Sequence, residues 1–388
     1  MTNALADRPQ PIADPPPDIE IPPGVTGVLT IDLGAVVANW HRLRQRVGPG
    51  CTVAAVVKAD AYGLGLRPVA QALADAGCRW FFVATLDEAA ALADLLRPSH
   101  PECRVALIAG PIPGTAGDIA RIPALVPVLN DLGQLRDWRQ AAPGREAMLH
   151  LDTGMSRLGL EPGELSRLAA QPDLLSGVVL AGVMSHLACA DTPEHPMNSR
   201  QRIAFEASSR QLPPAPRSLV ASCGIFLGAP YHYDLVRPGA ALYGLNPSPG
   251  APNPMIQAIG LKARILQVRE IDDGRSVGYG ARWTARGPRR IATLGVGYAD
   301  GILCGAGDRA RVYVGSVEIP VIGRVSMDLI TVDISAVPRH ALDPNDFVDV
   351  LGPHYGVDAL ARDSGTVGYE LLTRLGPRLL RVYRAVPH

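Results

Sequence analysis

Between residues 52 and 239 the sequence repeats one pattern eight times, a short apolar run followed by a more polar stretch. Near-continuous apolar runs are typical of parallel strands that are buried on both faces. Intervals such as "GLRPVAQALADAG" place apolar side chains on one helical face. Eight such units in series favour an α/β fold of the (β/α)8 TIM-barrel type over an open doubly wound sheet, which can also give this alternation. The eight runs are "TVAAVVKA" (52–59), "RWFFVAT" (79–85), "CRVALIAG" (103–110), "LVPVLN" (125–130), "AMLHLDT" (147–153), "LAGVMSH" (180–186), "SLVASC" (218–223) and "YDLVRPG" (233–239).

The composition changes after the eighth run. A proline-rich connector, "NPSPGAPNPM" (246–255), is followed by short strand-like runs with turn residues between them. We therefore predict a barrel domain over residues 26–257 and a mainly β domain over 258–388. The first 25 residues, rich in proline, predict a leader without the apolar segment of a secretory signal.

Charge and cysteine usage exclude several classes of function. The 37 basic and 37 acidic residues cancel, so nothing favours nucleic acid or an anionic membrane as a partner. No apolar stretch is long enough to span a bilayer. The six cysteines have neither CxxC nor zinc-site spacing, which predicts reduced thiols, no metal and a cytoplasmic enzyme.

Polar residues stand where several of the eight runs end. Lys58 ends the first run, His186 the sixth and Ser222 the seventh, while Arg157 follows the fifth and Arg237 lies in the eighth. The active site of a TIM barrel lies at the carboxyl ends of its strands. We therefore expect these side chains to converge on one rim and to form an active site.

These residues suggest a ligand that carries both an aldehyde and a phosphate group. A lysine whose pKa is lowered by burial can form a Schiff base. The loops after strands seven and eight are the usual phosphate site of this fold, and "SCG" and "PGAALYG" supply a hydroxyl and glycines there. These features predict pyridoxal phosphate, although an aldolase acting on a sugar phosphate would also fit them.

Seven motifs in order resemble the alanine racemase family: "AVVKADAYGLG", "LDTGMSRLG", "SHLACAD", "RPGAALYG", "VGYGARW", "VGYADG" and "GRVSMD". The resemblance runs from about residue 26 to the C-terminus. It implies a pyridoxal 5′-phosphate-dependent enzyme that interconverts L- and D-alanine and supplies D-alanine for cell-wall peptidoglycan. A racemase of broader specificity, acting for example on serine, and a non-catalytic pyridoxal-phosphate-binding protein remain as alternatives.

The resemblance assigns the two bases that racemisation needs on opposite faces of the substrate's Cα. Lys58 holds the cofactor and is the base on one face. Tyr279 of the partner subunit is the base on the other face, which implies a homodimer with shared active sites. His186 and Arg237 resemble the pair that supplies positive charge beside this tyrosine.

The remaining roles also come from the resemblance. Arg237 contacts the cofactor's ring nitrogen, where many pyridoxal enzymes place a carboxylate. Arg157 binds the phenolic oxygen of the cofactor and helps to bind the substrate. The phosphate contacts are Tyr62, Ser222, Gly239 and Tyr369. The backbone around Met327 and Asp328 receives the substrate carboxylate, and Tyr298 is a gate on the entry channel.

One position departs from the family. Many members carry a lysine, usually carbamylated, two residues before the Asp of "DTGM", and this chain has His150 there. An imidazole cannot supply the anionic brace, so Arg157 must be held by a bound anion or by another side chain. Among rival enzymes of this fold, amino-acid decarboxylases usually place an acid at the ring nitrogen, and Arg237 argues against them. A carrier protein predicts a single barrel domain, which the β domain argues against.

Overall fold

The structure, a computed structural model, describes residues 20–386 of the chain. Its contacts divide these residues into two compact units. The barrel unit contains Val37–Leu242 and Asn246–Met255, and the β unit contains residues 20–36, Tyr243–Leu245 and 256–386. Most of the predicted leader, residues 1–25, lies outside the described residues.

The first strand, β1 (Gly27–Asp32), pairs with strands of the β unit and not with those of the barrel. The structure therefore groups this strand with the β unit, whereas the sequence predicts a barrel domain that begins at residue 26. The reason is that "GVLTID" is buried along almost its whole length, and an apolar run of this kind is compatible with any strand that is covered on both faces. Helix α1 (Leu33–Val47) follows it.

The barrel unit contains a strand in each of the eight predicted runs. A seven-stranded parallel sheet joins β3 to β9 in chain order, and β10 pairs in parallel with β2. The N–H of Arg237 donates to Val220 O at 3.0 Å, which links β10 to the run of β9 and closes the ring. The predicted (β/α)8 barrel is therefore confirmed. Its strands are β2 (Thr52–Val53), β3 (Ala55–Val56), β4 (Trp80–Val83), β5 (Arg104–Leu107), β6 (Leu125–Leu129), β7 (Glu146–His150), β8 (Val179–Met184), β9 (Arg217–Ser218) and β10 (Leu235–Val236).

Apolar side chains from alternate strand positions fill the interior of the barrel, among them Val56, Phe82, Val128 and Met184. The interior is thus a packed core, and polar side chains are left for the strand ends. The helices between the strands bury one face each, as α2 does with Val69 and Leu73. They are α2 (Leu66–Asp75), α3 (Leu86–Leu96), α4 (Ala116–Ala120), α5 (Leu132–Ala141), α6 (Pro162–Ala170), α7 (Pro196–Ser209) and α8 (Ser222–Ile225), with 3-10 turns at Pro172–Leu175, Ala229–Tyr231 and Ala240–Tyr243.

The β unit is built on a closed barrel of six strands. The strand order is β14-β17-β16-β15-β18-β11, and β11 also pairs with β14, while β1 and β19 extend the sheet from β11. The mainly β domain predicted from the sequence is therefore confirmed as a fold class. Its strands are β11 (Ile259–Ile271), β12 (Ser276–Val277), β13 (Trp283–Thr284), β14 (Arg289–Leu294), β15 (Arg311–Val314), β16 (Val317–Ile322), β17 (Ile330–Asp333), β18 (Phe347–Leu351) and β19 (Leu380–Arg384).

Two helices, α9 (Val357–Ser364) and α10 (Gly368–Thr373), precede the last strand of the β unit. Short 3-10 turns lie at Tyr279–Ala281, Tyr298–Asp300, Cys304–Ala306 and Arg339–Ala341. Over residues 20–386, none of the helices has the length and apolar character needed to cross a membrane.

Candidate active site

Lys58 stands at the carboxyl end of β3 and is half-buried. The four residues after it all adopt left-handed backbone angles, with φ of 52° at Ala59, 55° at Asp60, 53° at Ala61 and 58° at Tyr62. L-residues pay roughly 1–2 kcal/mol each for this conformation. Strain of this kind is found at functional sites, where the surrounding structure holds it in place.

Burial lowers the pKa of the Lys58 ammonium, and the positive charge of Arg157 lowers that pKa further. The carboxylate of Glu88 opposes this effect, because a negative neighbour favours the charged amine. A lysine with a lowered pKa has more of its amine in the neutral form. In that form the amine can attack an aldehyde or accept a proton.

Arg237 is a fully buried cation on the same rim. Its guanidinium donates to Ser185 O at 2.6 Å, to Leu219 O at 3.5 Å and to the hydroxyl of Ser218, and it lies 3.4 Å from His186 Nδ1. None of these bonds, within residues 20–386, goes to a carboxylate. Burial lowers the pKa of Arg237 to about 9, which leaves the side chain charged at neutral pH. A buried cation without an anionic partner favours binding of a group that accepts its N–H bonds.

His186 follows β8 and lies beside Arg237. Burial, and next the charges of Arg237 and Arg157, lower the pKa of His186 to about 3. The imidazole is therefore neutral at pH 7. His186 and Arg237 are both expected to supply positive charge. Only Arg237 is charged, because burial among cations disfavours protonation of the histidine.

His150, the position that departs from the family, is buried at the end of β7. Its Nδ1 lies 2.8 Å from Asn130 Oδ1, while Asn130 Nδ2 donates to the carbonyls of Ile108 and Val128 at 3.1 and 3.0 Å. Two carbonyl acceptors fix the amide nitrogen of Asn130, so its oxygen must face the imidazole and accept the proton of Nδ1. The Nε2 atom of His150 is then an unprotonated acceptor.

We expect His150 to make the folded chain sensitive to acid. Burial, and next the charge of Arg237, lower the pKa of His150 from 6.5 to about 4. Between these values the unfolded chain binds more protons, so the free energy of unfolding is highest above pH 6.5 and decreases as the pH falls toward 4. The full effect is about 3 kcal/mol for this side chain. Denaturant unfolding across this pH range should show a smaller decrease in His150→Asn.

The matched control for that measurement is His340→Asn, at an exposed histidine of the β unit. It should leave the pH dependence of the wild-type chain unchanged. An equal pH dependence in His150→Asn and the wild type would contradict the assignment of a buried, neutral imidazole.

The loops after β9 and β10 meet at a buried hydroxyl. Ser222 Oγ accepts the N–H groups of Gly239 and Ala241, both at 3.1 Å, which leaves the hydroxyl proton for a third partner. A Cβ at Gly239 would lie 2.3 Å from Tyr62 Oη, so only glycine allows this approach. Hydroxyl groups of Ser222 and Tyr62 therefore flank a backbone without a side chain. The arrangement fits the cradle that a phosphate requires.

The loop that carries Arg157 is organised by Asp152. One carboxylate oxygen of Asp152 accepts the N–H groups of Gly154, Met155 and Ser156 at 2.9, 2.9 and 3.1 Å. Arg157 follows this turn and is exposed. Asp152 thus has a structural role in presenting the arginine, which its place at the end of the fifth run did not reveal.

The barrel unit therefore brings together all of its predicted site residues on one rim. The positive charges of Lys58, Arg157 and Arg237 all act on His186. A nucleophilic amine, an anion cradle and two arginines fit a cofactor that carries an aldehyde, a phosphate and a phenolic oxygen. The donor set matches the pyridoxal phosphate that the sequence predicts.

In the β unit, hydrogen bonds between two segments hold three predicted residues, Tyr298, Met327 and Asp328, close together. Tyr298 N donates to Ser326 O and Ala299 N donates to Met327 O, each at 3.0 Å. These bonds dock the turn of Tyr298 against the segment that carries Met327 and Asp328. Tyr298 and Met327 are 42% and 53% exposed, so both side chains are accessible on the surface of the β unit.

Arg378 links the same two segments, and no sequence motif predicts this role. Its guanidinium donates to both carboxylate oxygens of Asp300, at 2.9 and 2.8 Å, and to Asp328 Oδ1 at 2.6 Å. A planar guanidinium is well suited to such a fork. The three residues of this cluster, Asp300, Asp328 and Arg378, are spread over 78 residues of sequence, so only the folded chain identifies it.

The other two predicted residues of the β unit stand on separate elements. Tyr279 opens the 3-10 turn Tyr279–Ala281 and is 70% exposed, the largest exposed fraction among the large hydrophobic side chains of the described residues. Tyr369 lies in α10 and is 52% exposed. Both side chains are therefore accessible on the surface of the β unit.

Comparison with known proteins identifies the family of the chain. Residues 31–247 match the family model for "Alanine racemase, N-terminal domain", and residues 258–383 match that for "Alanine racemase, C-terminal domain". An alanine racemase of Rhodospirillum rubrum is 50% identical over 365 residues, which cover 93% of this chain and 96% of that protein. A relative from Mesorhizobium japonicum named "Alanine racemase, catabolic" is 47% identical over 360 residues, 92% of this chain and 93% of its own length.

Solved structures show the same similarity. The crystal structure of alanine racemase from Bartonella henselae, described with covalently bound pyridoxal phosphate, superposes with a TM-score of 0.87 at 37% identity and covers 93% of this chain and 100% of that one. The biosynthetic alanine racemase of Pseudomonas aeruginosa gives a TM-score of 0.85 at 36% identity, with 93% and 100% covered. On its two domain matches, its relatives and its fold, the chain belongs to the alanine racemase family.

Proposed function

We propose that the chain is the subunit of a pyridoxal 5′-phosphate-dependent racemase that interconverts L- and D-alanine. The observation that carries the proposal is the barrel rim. There a lysine with a lowered pKa stands beside two arginines and a hydroxyl-lined backbone cradle. The names of the relatives and the cofactor in the Bartonella henselae structure support the same reaction and the same cofactor for this chain.

Different barrel residues would bind different groups of the cofactor. Lys58 would bind its aldehyde carbon, Arg157 its phenolic oxygen and Arg237 its ring nitrogen. The phosphate is bound by Ser222, Gly239, Tyr62 and Tyr369. When bound, the cofactor withdraws electrons from the substrate's Cα and so acidifies the Cα–H bond.

Arg237 determines how strongly electrons are withdrawn. Its guanidinium is always a donor and retains its protons, so it keeps a neighbouring ring nitrogen unprotonated. A ring nitrogen without a proton withdraws electrons less strongly than a protonated one. Arg237 would therefore favour return of a proton to Cα over transamination.

Inversion at Cα requires a proton to leave one face and another to arrive on the opposite face. Lys58 is the base on one face, and its lowered pKa suits it to accept a proton. Tyr279 of the partner subunit is the acid or base on the other face. The backbone around Met327 and Asp328, together with Arg157, holds the substrate carboxylate, and Tyr298 controls entry to the site.

We propose a homodimer, because Tyr279 is too exposed for a catalytic tyrosine of an isolated subunit. A side chain that is 70% exposed is accessible to a second copy of the chain. A tyrosine that transfers a proton to Cα must work in a site from which water is excluded. Covering this surface with the partner subunit would provide that exclusion.

The same chemistry can serve two physiological directions. The reaction supplies D-alanine for peptidoglycan, or it consumes D-alanine, as the name of the Mesorhizobium japonicum relative suggests for that protein. In either case we expect a cytoplasmic enzyme that binds alanine and not nucleic acid or membrane. A racemase of broader specificity is the main alternative.

The proposal is tested with purified protein and added cofactor. L-alanine, L-serine and L-lysine are incubated separately, and the D-enantiomers are resolved by chiral chromatography. We expect D-alanine to form with the highest kcat/KM. Faster formation of D-serine or D-lysine would support the broader racemase, and cofactor binding without any D-amino acid would support a carrier protein.

Gly239→Ala tests the phosphate cradle. The new methyl group would lie 2.3 Å from Tyr62 Oη, so Tyr62 must move away from the cradle. We expect the Kd for pyridoxal phosphate to rise about tenfold, or about 1.4 kcal/mol, in an absorbance titration of the cofactor-free protein. Gly163→Ala is the control, because a Cβ there meets no atom within 4 Å. Equal Kd values in the two variants would contradict the cradle.

A further inference from the structure

The backbone next to Lys58 is held by a side chain from another part of the chain. The first N–H after Lys58, that of Ala59, donates to Glu88 Oε1 at 2.6 Å. This N–H belongs to the peptide group that Lys58 forms with Ala59. Fixing that peptide plane fixes the direction in which the Lys58 side chain leaves the strand. Ala59 is also the first of the four left-handed residues.

The second carboxylate oxygen of Glu88 accepts hydrogen bonds from the loop after β4. Oε2 accepts the N–H of Ala84 at 2.9 Å and that of Thr85 at 3.2 Å, directly after β4. Glu88 also completes the capping box of α3, in which Thr85 Oγ1 accepts the N–H of Glu88 at 3.3 Å. One carboxylate thus joins the loops after β3 and β4 through charge-assisted bonds, which are stronger than bonds between neutral groups.

Glu88 is also the acidic group that acts on Lys58. Arg157 lowers the pKa of the lysine and Glu88 raises it. Asp60, in the same turn, accepts the N–H of Leu66 at 2.7 Å, and His186 is neutral. Removing the negative charge of Glu88 therefore removes the stabilisation that it gives the Lys58 ammonium.

We propose that Glu88 is a positioning residue for Lys58: its carboxylate holds the left-handed turn that aims the lysine amine into the site. The inference shares one premise with the proposed function, namely that Lys58 binds the cofactor. The geometry of the turn and its bonds to Glu88 are independent of that statement. Glu88 itself does not touch the reacting atoms.

The chain contains a matched control at Glu164. This residue occupies the same third position of a capping box, in α6. One oxygen accepts the N–H of Glu161 at 3.2 Å, and the other accepts the N–H of Leu132, in a neighbouring loop, at 3.1 Å. Glu164→Gln therefore removes the same type of interaction from the same barrel but not from beside Lys58.

The sequence makes a direct measurement on Lys58 possible. Lys262 is the only other lysine of the chain, and it is paired with Asp349 at 2.9 Å in the β unit. The rate of Lys58 acetylation in cofactor-free protein is followed against pH by mass spectrometry, with Lys262 as the internal reference. The midpoint of that profile reports the pKa of Lys58 without any need for bound cofactor.

We expect the midpoint for Lys58 to fall by about 0.5–1 pH unit in Glu88→Gln and to stay at the wild-type value in Glu164→Gln. In cofactor-loaded protein, kcat for alanine should fall about tenfold or more in Glu88→Gln, because a misplaced reacting group slows catalysis steeply. KM should change less than kcat. Glu88→Asp keeps the charge but shortens the side chain, so its midpoint should stay near that of the wild type while its kcat falls.

Two results would overturn the inference. The first is a Glu88→Gln variant whose Lys58 midpoint and kcat equal those of Glu164→Gln. The second is unfolding of both Glu88 variants under conditions where Glu164→Gln stays folded, since Glu88 would then be needed for folding and not for placing the lysine. By contrast, if borohydride fixes no cofactor to Lys58 in the wild type while the midpoint shift is present, the proposed function fails and the positioning role stands.

Discussion

Lys58→Ala should abolish racemisation, with a decrease in kcat of more than about 10⁴-fold. The substitution removes the amine that binds the cofactor aldehyde and also the base on one face of Cα. The visible absorbance of the bound cofactor should be lost, because that band requires a covalent bond between the cofactor and an amine. The measurement is chiral analysis of D-alanine together with an absorbance spectrum of the dialysed protein.

Lys262→Ala is the matched control, since it removes the other lysine of the chain. Lys262 is paired with Asp349 on the β unit, and both side chains are partly buried, so losing this ion pair should cost about 1 kcal/mol of stability. We expect it to retain the absorbance and most of the activity. Residual cofactor absorbance and D-alanine formation in Lys58→Ala, at the level of Lys262→Ala, would show that Lys58 is not the attachment site.

Tyr279→Phe should decrease the rate of interconversion by about 10²–10⁴-fold, the usual effect of losing a general acid or base. The cofactor should still bind, because Lys58 and the phosphate cradle are intact. One enantiomer should continue to exchange its Cα proton with solvent, since Lys58 still serves its own face. Proton NMR in deuterated buffer measures this exchange, and chiral analysis measures inversion.

Tyr313→Phe controls for the loss of a phenolic hydroxyl elsewhere in the β unit. The Tyr313 hydroxyl donates to Glu318 at 2.8 Å, and we expect this variant to racemise alanine at close to the wild-type rate. Equal rates of inversion in Tyr279→Phe and Tyr313→Phe would remove Tyr279 from the mechanism.

Mixing the two inactive variants tests whether active sites are shared between subunits. If Tyr279 works in the site of the partner subunit, a heterodimer of Lys58→Ala and Tyr279→Phe contains one intact site and one with both substitutions. Random exchange of subunits should then restore about a quarter of the wild-type activity. If each tyrosine serves its own subunit, both sites of the heterodimer are defective and no activity returns.

The barrel and its rim could be predicted because each step depends on local pattern. Eight apolar runs indicate eight buried strands, and a polar residue at the end of a run lies at the rim for reasons of fold alone. Lys58, His186 and Ser222 were found in this way. The family motifs supplied roles for residues of the β unit, such as Tyr279, whose position on a surface turn has no such pattern.

The interactions that hold the rim could not be predicted, because each joins residues that are distant in sequence. Nothing in "KADAY" indicates four left-handed residues, since that conformation is usually signalled by glycine or asparagine. The capping box of Thr85 and Glu88 can be recognised from its spacing. Its second contact, with Ala59, spans 29 residues and depends on strand order. The hydrogen bond between His150 and Asn130 could not be predicted for the same reason.

The two-base mechanism is tested most directly by racemising L-alanine in deuterated buffer and examining the first D-alanine formed. We predict that this D-alanine carries deuterium at Cα while the remaining L-alanine still carries its proton, because one base removes the proton and another, exchanged with solvent, delivers the replacement. D-alanine that retains the original proton would mean that a single base carries it across, and would contradict the assignment of Lys58 and Tyr279 to opposite faces.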